Sequence, residues 1–499
     1  MDIFSNLSLG FTVALSMQNL MLCFIGCLVG TLIGVLPGVG PIATIAMLLP
    51  LTFKVDPTGA LIMLAGIYYG AQYGGSTTAI LINIPGEATS VVTALDGHAM
   101  AKKGRAGVAL GIAAIGSFIA GTIATLAIAL LGKPLTGLAL LFGPAEYFAL
   151  MILGLALAVA LARGPALKAI IMIVLGVLLS TVGTDLDTGE ERLTLGLVGL
   201  SDGIDFATIA MGIFGLAEIL KNIEAPEARD VVKGSIGRLL PSWLDFRRAL
   251  KPVLRGTLLG SGLGILPGNG AVIAPFASYT LEKKLSKNPS EFGNGAIEGV
   301  AGPESANNAA AQTAFIPLLT LGIPPNAVMA LMIGAMTIHG IIPGPLVMTK
   351  SPDLFWGMIA SMWIGNLMLV VINLPLIGIW VRLLKVPYRL MYPAILLFCA
   401  IGIYSINNNP GDVYVTAFFG LLGYLFYKLG FEPAPMLLGF VLGKLLEQKL
   451  RQALTLADGD MLAVIGRPTA AVFLVAALIV IAVSLSPTIT RKRDEVLAE

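Results

Sequence analysis

Four stretches of this chain, residues 108–131, 354–381, 390–411 and 468–490, contain no Asp, Glu, Lys or Arg. Each exceeds the roughly 20 apolar residues a helix needs to cross a hydrocarbon core of about 30 Å. The chain is therefore expected to fold inside a bilayer. Composition agrees, with 56% of the 499 residues hydrophobic and 12% charged, a balance that soluble domains do not show. Only helices and closed barrels satisfy their own backbone in lipid. A barrel needs strands of about 10 residues that alternate apolar and polar, whereas these runs are apolar on every face. The fold class that follows is an all-α polytopic membrane protein.

The formal net charge is +2, so the balance of charge points to no nucleic-acid partner. Three cysteines, Cys23, Cys27 and Cys399, sit in apolar runs and suit neither a disulfide framework nor a zinc site. Before Lys54 the only charge is Asp2, so no basic segment of a cleaved signal precedes the first apolar run. That run is expected to stay in the mature protein.

Glycine (59 residues) and proline (29 residues) are abundant, many of them inside apolar segments. A broken backbone at membrane depth is tolerated only where protein or a water-filled cavity satisfies it. Matching breaks in two halves of a chain are a pointer to a transporter's binding site. Here Gly34-Val35-Leu36-Pro37-Gly38-Val39-Gly40 recurs 230 residues later as Gly264-Ile265-Leu266-Pro267-Gly268-Asn269-Gly270. A second pair aligns the stretch from Tyr73 to Gly86 with that from Gln312 to Pro325, 239 residues apart, through Ile84-Pro85 and Ile323-Pro324.

Residues 221–255 hold eight Lys or Arg against four acids, whereas residues 1–18 hold no basic residue. By the positive-inside rule the first stretch is cytoplasmic and the second is not, so the two repeats enter the membrane from opposite sides. The expected organisation is a first repeat with scaffold helices over 1–220 and a basic cytoplasmic linker over 221–252. The core of an inverted second repeat follows over 253–350, and C-terminal scaffold helices over 351–499. Legs of 12 and 13 residues flank the second Pro-Gly break, about 18 to 20 Å each at 1.5 Å per residue. They predict a re-entrant hairpin with its tip at 267–270, mirrored by a tip at 37–40. A short interfacial piece is expected around 444–451.

Gly74 and Gly75 allow close backbone approach, and Ser76, Thr77 and Thr78 offer hydroxyls to an ion or carboxylate, although small residues also pack membrane helices. Glu298, Glu304, Asn307 and Asn308 stand among Gly, Ala and Pro, either in a solvated loop or as intramembrane polar groups that signal function. Glu87 directly follows the Ile84-Pro85-Gly86 break, and Asp96 precedes the basic 102–105 loop, which it is free to cap or pair with. His98 and His339 are the only histidines. The chain lacks a Walker lysine motif, a zincin helix and a nucleophile elbow. A hydrolase built on Ser76 or Ser305 with one of the histidines stays as the competing class, along with a channel without ion coupling.

Taken together, Leu36-Pro37-Gly38, the run Tyr73 to Thr78, Asn83-Ile84-Pro85-Gly86-Glu87, Asp96-Gly97-His98-Ala99-Met100, Leu266-Pro267-Gly268 and the run Pro303 to Ala310 strongly resemble the large membrane subunit of the bacterial tripartite tricarboxylate transporters. The resemblance covers residues 26–345 densely. It departs at Pro325-Asn326, Gln312-Thr313 and Asn269. It implies an elevator-like secondary transporter of the inner membrane and no enzyme. Implied partners are a small four-helix membrane subunit, a periplasmic binding protein that delivers a di- or tricarboxylate, and the lipid bilayer. Uptake would be coupled to a cation gradient, Na+ being the expected ion and no other cofactor being required. On this reading the acid contacts Pro37, Gly38, Gly40, Gly74, Gly75, Ser76, Pro85, Gly86, Pro267, Gly268, Asn269, Gly270, Asn308 and Pro324, its carboxylates facing half-helix N-termini. The cation falls to Ser76, Thr77, Thr78, Asn307 and Asn308.

Overall fold

A computed structural model of the chain describes residues 3–36, 40–162, 164–185, 188–224, 236–266, 270–384 and 392–486. Strand among these is confined to one antiparallel ribbon, Gly183–Thr184 with Glu191–Arg192. Six of the described helices are long and apolar enough to cross a membrane, so the chain is an all-α, multi-pass membrane protein.

Local chemistry sets the helix starts. Met17–Val35 begins where the Ser16 hydroxyl accepts the N–H of Asn19. Pro57–Ile82 begins where the Asp56 carboxylate accepts the N–H of Gly59 and proline takes the first helical position, where its missing N–H costs nothing. Between them lies Pro41–Thr52. The second half repeats the order as Trp243–Gly264, Gly270–Leu285, and Glu298–Thr313 continued by Phe315–Leu321.

The two halves pack alike. Gly26, Gly30 and Gly34 lie against the backbone of Met63, Ile67 and Ala71, and Gly256, Gly260 and Gly264 lie against that of Gly302, Ala306 and Ala310. A Cβ on any of the six would overlap a backbone carbonyl oxygen, so the four-residue glycine ridge lets two helix backbones touch, as small residues do in membrane interfaces. The glycines are 230 residues apart and their partners 239, the same offsets that the sequence motifs carry.

Both long helices then stop in the same way. Asn83 (φ 58°) and Gly322 (φ 72°) close them in the left-handed conformation, which asparagine and glycine tolerate best. Ile-Pro follows in each case. Two residues after that proline, Glu87 is the N-cap of the short helix Ala88–Ser90, which runs on as Val91–Met100, and Asn326 caps Ala327–Ile338.

Beyond the breaks the halves exchange partners. Ala106–Ala139 packs on Trp243–Gly264 and Glu298–Thr313 of the second half, and Pro352–Asn373 packs on Met17–Val35 and Pro57–Ile82 of the first. Around this core, Pro144–Leu161, Ala166–Ser180, Ala434–Leu456 and Pro468–Leu485 form one outer group, while Phe206–Glu224 lies with Pro410–Lys428. The core helix Pro57–Ile82 is buried from Gly59 to Ile82, and Glu298–Thr313 from Gly299 to Thr313.

Two expectations need correction, and one open alternative is decided. The descending leg of the second hairpin is not 12 residues long: its helix begins at Trp243 and holds 22. Its early turns carry charges that keep them out of an apolar phase, with Asp245 bound to Arg105 and Arg248 bound to Glu298 and Glu291. The piece around 444–451 is part of the continuous 23-residue helix Ala434–Leu456. The stretch with Glu298 and Glu304 is helix, not a solvated loop.

Candidate substrate and ion site

The two buried core helices meet through polar side chains. The Ser76 hydroxyl lies 2.7 Å from Oε2 of Glu304 and 3.0 Å from the carbonyl of Gln72, and the Thr93 hydroxyl bonds to the other Glu304 oxygen. Glu304 is 1% exposed and both of these partners are neutral. One turn along, Nδ2 of Asn308 donates to Ser117 at 2.6 Å and to the carbonyl of Glu304 at 3.1 Å. Asn307 is fully buried, and neither its amide nitrogen nor its amide oxygen has a partner. Beside them lies a small cavity of about 10 Å³, room for roughly one water-sized particle, lined on its polar side by Tyr73, Ser76, Thr77, Ser117, Glu304 and Asn373.

Other expected site residues support the backbone around this cluster. Thr78 donates to the carbonyl of Gly75 at 2.8 Å and also lies near that of Gly34; Thr77 donates to the carbonyl of Tyr73 at 3.2 Å. Gly74 packs on the carbonyl of Thr31, and Gly86, whose N–H reaches the carbonyl of Gly75, packs on that of Gly34. Gly75 faces Glu87, whose Oε1 is buried without a partner. Gln72 accepts from Thr89 at 3.0 Å. Pro85 is half-buried and Pro324 buried, each at its helix break. Gly270 folds back on the carbonyl of Leu263. Gly40 opens Pro41–Thr52 without a side-chain cap, and its N–H points to Oε2 of Glu218 at 3.5 Å. Pro37, Gly38, Pro267, Gly268 and Asn269 lie outside the described residues.

Not every acid near the breaks belongs to this cluster. Oδ1 of Asp96 accepts the N–H groups of Gly293, Gly295 and Ala296 at 2.7 to 2.9 Å, and Oδ2 accepts the Tyr279 hydroxyl. It therefore fastens the 293–296 loop of the second half, not the basic loop that follows it in sequence. Glu298 is bound by Arg248 through two 2.9 Å contacts, and the hydrogen bond from Arg248 holds the neighbouring Glu291 carboxyl below its ordinary range. His98 Nδ1 lies 3.1 Å from the carbonyl of Ile80. Ser76 is engaged by Gln72 and Glu304, and not by a histidine as a hydrolase would require.

The geometry is that of paired, interrupted helices meeting around buried polar groups, which is how secondary transporters build a site. The model of the tripartite tricarboxylate transporter TctA family matches residues 20–438. The chain belongs to that family. It is thereby a subunit of a tripartite tricarboxylate transporter, working with further subunits and a binding protein, in a family of transporters rather than enzymes.

Two relatives from Agrobacterium vitis are similar along their whole length. An uncharacterized 52.8 kDa protein in the TAR-I ttuC' 3' region is 59% identical over 502 residues, covering 100% of this chain and 99% of the relative. An uncharacterized protein in the TAR-II ttuC' 3' region is 61% identical over 240 residues, 48% of this chain and 99% of its own. No solved structure matches the chain significantly.

The sequence reading placed Ser76, Thr77 and Asn308 around this cluster. It missed Thr93, Ser117, Asn373 and Glu218. For Asn373 a signal was available: an amide inside the uncharged 354–381 run is expensive unless it is used.

Proposed function

We propose that this chain is the membrane-embedded path for cation-coupled uptake of a di- or tricarboxylate, handed over by a periplasmic binding protein, in the inner membrane beside a small four-helix subunit. The observation that carries this is the duplicated break: left-handed cap, Ile-Pro and new helix N-terminus at matching positions, next to a buried cluster of hydroxyls, amides and one carboxylate. The helices that start after the breaks are capped by Glu87 and Asn326 of this chain. Pro41–Thr52, behind Gly40, starts without a side-chain cap. Anionic groups of the substrate are favoured at helix N-termini of this kind. The hydroxyl and amide oxygens suit a hard monovalent cation, and Na+ is the expected coupling ion.

In this proposal the two repeats are inverted, with 221–252 facing the cytoplasm, and the core moves against the outer helices in an elevator-like step. The test is uptake into proteoliposomes that hold the chain with its small partner and binding protein, with citrate and succinate offered under imposed Na+ or H+ gradients. Uptake that follows the Na+ gradient is the expected result. Accumulation without any ion gradient, or hydrolysis of the offered acid, would contradict it.

A further inference from the structure

The cavity beside Glu304 has a feature that helix packing does not explain. Two of its polar atoms, the Tyr73 hydroxyl and Oδ1 of Asn373, are buried without a partner, on side chains 5% and 4% exposed. The Asn373 amide is fixed, since its Nδ2 is held by Thr31 at 3.3 Å and by the carbonyl of Leu369 at 2.9 Å, which leaves its oxygen unpartnered on a residue that lines the cavity. Buried polar atoms are nearly always satisfied. The same cavity receives Glu304, whose two partners are hydroxyls and whose charge therefore has no counterpart among them. A carboxylate at membrane depth is costly without one.

Each deficit has the same remedy. We infer that the cavity between Tyr73, Ser76, Glu304 and Asn373 is the seat of the coupling Na+, with Glu304 supplying the compensating charge and the Tyr73 and Asn373 oxygens completing its shell. Hard cations take oxygen ligands, and a divalent ion draws on several carboxylates or waters; one carboxylate among neutral oxygens matches a single positive charge. The ligands come from both halves and from the exchanged helix Pro352–Asn373, so the ion ties together the three segments that a transport movement would have to carry as one. The site is thus charged, in contrast to the neutral set of Ser76, Thr77, Thr78, Asn307 and Asn308 expected from sequence. The inference rests on the Na+-coupled reading above and assigns its ion a place.

The experiment is equilibrium binding of 22Na+ to the full-length chain in lipid nanodiscs, with melting temperature measured in parallel. The wild type should bind saturably, and Glu304→Gln should weaken binding by about 100-fold or more. Tyr73→Phe is the sharper variant. It deletes a hydroxyl that has no partner in the protein, so the melting temperature should hold or rise while 22Na+ binding weakens roughly 5- to 30-fold; a merely structural tyrosine would not give that opposition. If Glu304→Gln does not fold, Tyr73→Phe alone decides. Wild-type binding that Tyr73→Phe and Glu304→Gln leave unchanged would overturn this placement and leave Na+ coupling standing. A wild type that binds no 22Na+ would remove both.

Discussion

On the long core helix of the first half stand Ser76, Thr77 and Thr78; 239 residues later the second half has Phe315, Ile316 and Pro317. The converse holds for Glu304, Asn307 and Asn308, which answer to Ala65, Tyr68 and Tyr69. Glycine ridges and left-handed caps were kept in both halves, because a Cβ at those glycines meets a carbonyl whichever half it is in. The polar groups were not kept in both. One half supplies hydroxyls and the other a carboxylate with amides, and they complete each other across the interface. A frame used twice thus carries one site, not two.

The largest expected effect separates equivalent positions. Phe315 is fully buried, and Phe315→Ala should destabilise the protein by about 3–5 kcal/mol through the space it opens. Ser76→Ala at the matching position removes a buried hydrogen bond to Glu304 and should cost only about 1–3 kcal/mol while transport fails. Thermal unfolding read by size-exclusion fluorescence, beside uptake, distinguishes them. Equal effects on both readouts would mean that the halves differ in side chains but not in role.

Next come positions where the halves should behave alike. Gly30→Ala and Gly260→Ala each press a methyl group onto a backbone carbonyl, of Ile67 and Ala306 respectively, and each should cost about 1–3 kcal/mol. A cost in one half only would break the claim that the frame is shared.

Smaller and more selective is the contrast between adjacent amides. Asn308 is bonded to Ser117 and Glu304, so Asn308→Ala should lower both stability and ligand affinity. Asn307 has no partner for either amide atom. Asn307→Ala should therefore spare the melting temperature and weaken the ion or acid it serves by about 1–3 kcal/mol, or roughly 5- to 150-fold. Binding of citrate across a Na+ titration reads both; unchanged curves for Asn307→Ala would take it out of the site.

Much of the frame was legible because it is written in residues with few alternatives. Glycine every fourth position, and Ile-Pro after a residue able to turn left-handed, have steric causes that act locally, so spacing alone pointed to where the halves correspond. The extent of Trp243–Gly264 was not legible, since its charges at 245–255 look like the end of a membrane segment until Arg105 and Glu298 are seen to receive them. The site was half legible for a similar reason. Ser76 and Asn308 stand inside conspicuous motifs, whereas Thr93, Ser117 and Asn373 are single polar residues on other helices, and only the exchange of partners beyond the breaks brings them to Glu304. Asp96 misled because its ligands, the amides of 293–296, are about two hundred residues away in the chain.

That the shared frame is used in opposite orientations is tested most directly by labelling from one side of the membrane. Ser5 and Ser290 are both exposed, one preceding the first repeat's helices in the chain and one following Gly270–Leu285 of the second, while the native Cys23, Cys27 and Cys399 are buried. With the native cysteines replaced by alanine, Ser5→Cys and Ser290→Cys should react with a membrane-impermeant maleimide from opposite faces, Ser5→Cys from outside intact spheroplasts and Ser290→Cys only in inverted vesicles. Labelling of both from the same face would show two parallel units and contradict the inversion.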